Sequence, residues 1–160
     1  MPMRRGYTLI EVMIVVIVVS IVAAVIVPQM LQAGTLGVQA AARMIISDIL
    51  YAQNEAVAQQ GTRQVVFDVD GNSYRVTDGD GVTLTTPWHG GSGEHRVDLS
   101  EDNRFAGVRI TAATFGGEPT LAFDDMGGAA SGGHVIIEFN DERFRINVAA
   151  FTGRVTVEKL

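Results

Sequence analysis

The stretch Arg4-Arg5-Gly6-Tyr7-Thr8-Leu9-Ile10-Glu11 runs straight into an apolar segment that ends near Pro28. From Val12 to Val27 only Ser20 is polar. A helix over Tyr7–Val27 is roughly 30 Å long at about 1.5 Å per residue, enough to cross the hydrocarbon core of a bilayer. One carboxylate, Glu11, lies inside that length, about one turn from Tyr7. An ionised carboxylate in lipid costs about 2.5–3.5 kcal/mol on insertion scales, so Glu11 calls for a cation. No Lys, Arg or His stands between Glu11 and Arg43. The helix cannot supply the cation itself.

A cut between Gly6 and Tyr7 would create one. The new α-amino group, on a neighbouring chain shifted along the axis, would meet Glu11. Within its own helix, a carboxylate in the first turn is already favoured by the macrodipole and the orphan N–H groups. A glycine, an aromatic, Thr8-Leu9-Ile10-Glu11 and a long apolar run closed by Pro28 together resemble the class III signal of type IV pilins and type II secretion pseudopilins. The resemblance implies cleavage after Gly6 by a prepilin peptidase, N-methylation of Tyr7 and a role for Glu11 in docking subunits. Tyr7 departs from the family's usual Phe but keeps the ring. A secretory signal fits less well. Its apolar segment is shorter, and the late site Leu31-Gln32-Ala33 has Leu where a small residue is wanted. Without cysteine, a lipoprotein cut is excluded. A twin-arginine signal on Arg4-Arg5 would place Glu11 inside its apolar segment.

The remaining length fits one domain with a core of its own. Net charge is −6, and removing Arg4 and Arg5 with the leader makes the balance more acidic. That is a poor footprint for nucleic acid, which is bound largely through Lys and Arg. The same two arginines precede the helix and would hold that end in the cytoplasm, placing the globular part across the inner membrane. Zero cysteines leave the fold to stand on its core alone.

Residues 1–6 read as a leader, 7–28 as a transmembrane helix, and 29–37 as a hinge. Pro28 removes a backbone donor and sets a helix kink, while Gly34 and Gly37 each cost about 1 kcal/mol relative to Ala. Residues 38–61 read as an amphipathic helix. Val38, Ala42, Ile45, Ile49, Ala52 and Ala56 form its stripe, with Arg43, Ser47, Asp48, Asn54 and Glu55 mostly away from it. Gly61 is expected to close it as the left-handed residue. Residues 62–160 switch to a period of two and read as a β-rich domain. Strands are expected at 63–69, 73–77, 82–85, 96–99, 108–115, 121–123, 135–139, 143–151 and 154–157, the last three as an antiparallel meander. The fold class is α+β and pilin-like, a long N-terminal helix (transmembrane, then amphipathic) packed on antiparallel β-sheets.

Within that class, Ser47–Ala56, then Leu121-Ala122-Phe123-Asp124-Asp125-Met126-Gly127 and the closing Thr152-Gly153-Arg154-Val155-Thr156-Val157, are similar to the GspH/FimT minor pseudopilins. The resemblance implies a non-enzymatic fibre subunit whose partners are other pilin-like subunits, the prepilin peptidase and the inner membrane. It implies no cofactor. The alternatives are a major pilin, or a DNA-uptake pilin using Arg143, Arg145 and Arg154. Asp68–Asn72 and Asp78–Gly81 carry oxygen ligands calcium would accept, but neither continues to the glutamate of an EF-hand, and both satisfy tight-turn chemistry. His89, His95 and His134 have no zinc-ligand spacing. No nucleophile elbow or phosphate loop is present. Trp88, in a glycine-rich loop, reads as a residue packing on the sheet rather than as a contact anchor.

Overall fold

The computed structural model describes residues 7–86 and 93–160, with the side chains of 25–35 outside the description. Gly6, Trp88 and His89 therefore lie outside the described residues. Two compact units divide at Ala33/Gly34.

Helix α1 runs from Leu9 to Ala58. Thr8 caps its start: the Thr8 Oγ1 and carbonyl oxygens accept from the Glu11 N–H at 3.3 and 3.1 Å, satisfying an orphan donor. The lone polar residue of the apolar run, Ser20, donates its hydroxyl to the Val16 carbonyl at 2.7 Å, so it leaves no stray polar group on the helix. Helical structure continues through Pro28, Gly34 and Gly37. The apolar side chains from Leu9 to Val22 are exposed. Among the described residues no helix is long and apolar enough to cross a membrane. The expected transmembrane segment, residues 7–28, extends past Ala24 into side chains that lie outside the description.

The second unit carries the core. From Val38 onward the stripe is buried at Val38, Ala41, Ala42, Ile45, Ile49, Ala52 and Ala56. Its small alanines let the sheets approach closely. The left-handed residue that ends α1 is Gln60 (φ 48°), not Gly61. Gly61 N–H reaches the Ala56 carbonyl at 3.0 Å and Gln60 N–H the Val57 carbonyl at 3.3 Å, the paired bonds of a Schellman ending.

Among the described residues, eight strands follow in two antiparallel sheets. The first has order β3-β2-β1-β5, from β1 (Arg63–Asp68), β2 (Ser73–Asp78), β3 (Arg96–Asp98) and β5 (Thr120–Phe123). The second has order β4-β6-β7-β8, from β4 (Arg109–Phe115), β6 (Gly133–Phe139), β7 (Glu142–Val148) and β8 (Val155–Lys159). Alternate side chains such as Val65, Phe67, Tyr74, Val76, Val135, Ile137, Ile146 and Val148 join the helix stripe in one buried cluster. A register shift between Ile110 and Ala112 bulges β4 against β6.

Two expected strands are corrected. Residues 82–85 make only isolated bridges, Thr77 to Thr83 and Thr85 to Glu94, because Leu84 is held between Val76 and His95 by single bonds rather than a ladder. The strand expected over 143–151 stops at Val148. There the chain turns through Phe151 (φ 63°), and Ala149 exchanges hydrogen bonds with Gly153 and Arg154.

Candidate functional site

Two places concentrate chemistry: the start of α1, and a polar cluster buried beneath its second half. At the first, Tyr7 lies just ahead of the helix and is 82 % exposed. Glu11 stands in the first turn, an acidic group at the positive end of the helix dipole. Pro28 lies inside α1.

Sequence reading missed the second cluster. Asp48 is only 7 % exposed, and its carboxylate holds two partners from the first sheet and its flank. The Tyr74 hydroxyl donates to Asp48 Oδ2 at 2.6 Å, and His95 Nε2 lies 3.1 Å from Asp48 Oδ1. The Tyr51 ring, one helical turn on, stacks on His95 with centroids 5.0 Å apart. Burial, then the Asp48 charge and its hydrogen bond, push the Tyr74 hydroxyl well above the usual phenol range. Tyr74 therefore stays a neutral donor. The signal was present in the spacing: Asp48 follows Ile45 by three and precedes Ala52 by four, so it shares their face. Its charge disguised it.

Asp48 and His95 have the makings of an acid–base pair, but His95 is 0 % exposed, so no substrate reaches it. The cluster is a clasp. It fastens α1 to β2 and to the segment entering β3, where His95 also exchanges backbone bonds with Leu84 and Val76. Beside it opens a groove of about 1230 Å³, lined by Met44, Asp48, Asp98, Glu101, Asp102 and Arg104 among others. The hydrogen bond from Arg104 holds the Asp102 carboxyl below the usual carboxylate range.

The oxygen-rich stretches serve turns. Asp68 Oδ1 accepts from Gly71 N–H at 2.8 Å, and Asp78 Oδ1 accepts from Asp80 and Val82 N–H. Asn72 gives its amide to the Val108 carbonyl and the Ser100 hydroxyl and accepts from Ile110 N–H, knitting the first turn to β4. Among the described residues no group of His, Cys, Asp or Glu is placed to hold a metal ion. Three basic residues of the second sheet face carboxylates: Arg143 with Glu138 at 2.7 Å, Arg145 with Glu158 at 2.9 Å and Lys159 with Glu142 at 2.7 Å. Two of the three arginines that a nucleic-acid patch would use are thus already neutralised, while Arg154 stays exposed.

Comparison with known proteins agrees with both ends of the chain. Residues 1–27 match the prokaryotic N-terminal methylation motif, and residues 41–153 match the type II transport protein GspH. No curated protein matches the sequence. Among solved structures, the type IV minor pilin FimU of Pseudomonas aeruginosa superimposes with a TM-score of 0.55 at 19 % identity, covering 75 % of this chain and 87 % of that one. The minor pseudopilin EpsH from the type 2 secretion system of Vibrio cholerae gives a TM-score of 0.52 at 16 % identity, covering 76 % and 94 %. Identities this low speak for the fold alone: a helix on two antiparallel sheets, as here. With the GspH match extending over most of the chain and the methylation motif ahead of it, the protein belongs to the GspH family of type II transport proteins.

Proposed function

We propose that the chain is a minor pseudopilin, a non-enzymatic structural subunit of a type II secretion pseudopilus. The observation that carries this reading is the order of the two matched regions: a methylation motif over residues 1–27, then a GspH domain over 41–153. In this reading prepilin peptidase removes residues 1–6, Tyr7 becomes the methylated terminus, and residues 7–28 hold the subunit in the inner membrane with its globular domain outside the cytoplasm. The exposed apolar side chains of Leu9–Val22 support it, because they need lipid or neighbouring helices to cover them. Glu11 then favours transfer from lipid into the fibre, where a neighbour's terminal amine compensates it. A type IV pilus is the second setting, suggested by the shared fold of FimU.

The test is Glu11→Ala. The variant is expected to insert in the membrane and lose its leader normally, yet to enter fibres at about a tenth of the wild-type level, as a lost ion pair worth on the order of 1.4 kcal/mol implies. Incorporation at the wild-type level defeats the mechanism. Mass spectrometry of the native protein supplies the companion check, since a terminus that still carries residues 1–6 contradicts processing.

A further inference from the structure

At the end of the globular unit where α1 finishes, two loops meet over the helix. The loop between β5 and β6 carries Met126, and the corner between β7 and β8 carries Phe151. Each side chain is 86 % exposed, the most of any large apolar residue described after Ala33. Phe151 also has φ 63°, a conformation in which a bulky residue is strained and glycine is not. The fold gains nothing from this ring: it is unburied, and the turn would close more easily without it. Strain kept for an exposed aromatic points to a function outside the domain.

The loops are also held rigid. The Gln53 side-chain amide, from α1, donates to the Gly127 carbonyl at 2.7 Å and to the Thr152 carbonyl at 3.3 Å. Phe151 N–H donates to the Ala129 carbonyl at 2.9 Å, tying one loop to the other. Gly127 (φ 80°) and Gly153 (φ 62°) leave room for Gln53, since a Cβ on Gly127 would stand 3.4 Å from Gln53 Cγ and 3.0 Å from Val57 Cγ2. Val57 is itself half-exposed beside them. A preorganised aromatic and methionine pair is the composition of a contact hot spot.

The flanking charges indicate what it meets. Asp125 precedes Met126, Arg154 follows the Phe151 corner, and both are exposed. Among the described residues neither has an ion-pair partner, whereas Arg143, Arg145 and Lys159 on the second sheet are all paired within the chain. We infer that Met126, Phe151 and Val57 form a docking surface for the globular domain of another pilin-like subunit. That subunit presents an apolar socket with a cation facing Asp125 and a carboxylate facing Arg154. The inference rests on the fibre reading above.

The chain has no cysteine, so a single introduced thiol reports one place. Full-length Phe151→Cys, labelled with benzophenone-maleimide in the producing cell's envelope and illuminated, is expected to give an adduct containing a second pilin-like subunit, identified by mass spectrometry. Val82→Cys, exposed on another loop, is expected to give at least tenfold less of it. Adding Met126→Ser to Phe151→Cys should cut the adduct several-fold. Phe151→Gly, which relieves the backbone, should melt no lower than wild type yet lower fibre incorporation several-fold. Equal adducts at positions 82 and 151, or wild-type incorporation of Phe151→Gly, overturns the docking surface and leaves the fibre reading standing. Wild-type chain absent from fibres altogether overturns both.

Discussion

The two halves of α1 meet opposite fates. From Leu9 to Val22 the valines and isoleucines are exposed, whereas from Val38 to Ala56 one stripe is buried almost completely. Composition and distribution both separate them. The first half is apolar all round, so no single packed face could bury it, and its cover has to come from lipid or other helices. The second half concentrates its apolar residues on one side, and the chain's own sheets cover that side.

The sharpest way to break the contrast is to make one substitution in each half. Ile49→Ala is expected to destabilise the folded unit by about 2–5 kcal/mol in urea denaturation of the full chain in detergent. Ile17→Ala should move the same transition by no more than about 0.5 kcal/mol. Equal effects would mean that the first half contributes to the domain's stability. Next in size is the clasp that the buried half acquired and the exposed half lacks. Tyr74→Phe keeps the volume and removes the hydrogen bond to a charged acceptor, costing about 1.5–3 kcal/mol. Its pH signature follows from the raised Tyr74 value. The folded state keeps that proton when the unfolded chain releases it near pH 10, so this contribution is complete below pH 10 and declines as pH rises above it. Wild type should therefore lose stability more steeply above pH 10 than Tyr74→Phe does. The smallest effect lies at the end of the helix. Gln60→Gly relieves a left-handed residue and should raise stability by about 1 kcal/mol, read as a higher urea midpoint at unchanged slope. No gain would mean that the Gln60 side chain has a role the Schellman ending does not account for.

The clasp also marks where reading the chain in order fell short. A carboxylate is seldom buried, and Asp48 reads as a polar residue away from the stripe although its spacing places it on the inner face. What makes burial tolerable is Tyr74 and His95, which arrive from residues 26 and 47 positions further along. Local periodicity carries no record of them. The same holds for Asn72, whose position in a turn was legible while its three bonds to Ser100, Val108 and Ile110 were not. Strands 63–68 and 73–78 and the closing meander were readable because alternation and turn chemistry are local. Residues 82–85 misled for the same reason. They alternate like a strand, but the bonds available between β2 and His95 are too few to form a ladder.

From its residues alone the chain specified an apolar run containing a single acid, an amphipathic helix after it, and a β-rich remainder, since each depends on neighbours within a few positions. The tertiary structure decided which polar groups go inside, how the eight strands among the described residues divide between two sheets, and that Phe151 and Met126 come to stand together on one clamp. Those outcomes depend on side chains distant in sequence competing for the same space and the same hydrogen bonds. Only the folded chain brings them within reach of one another.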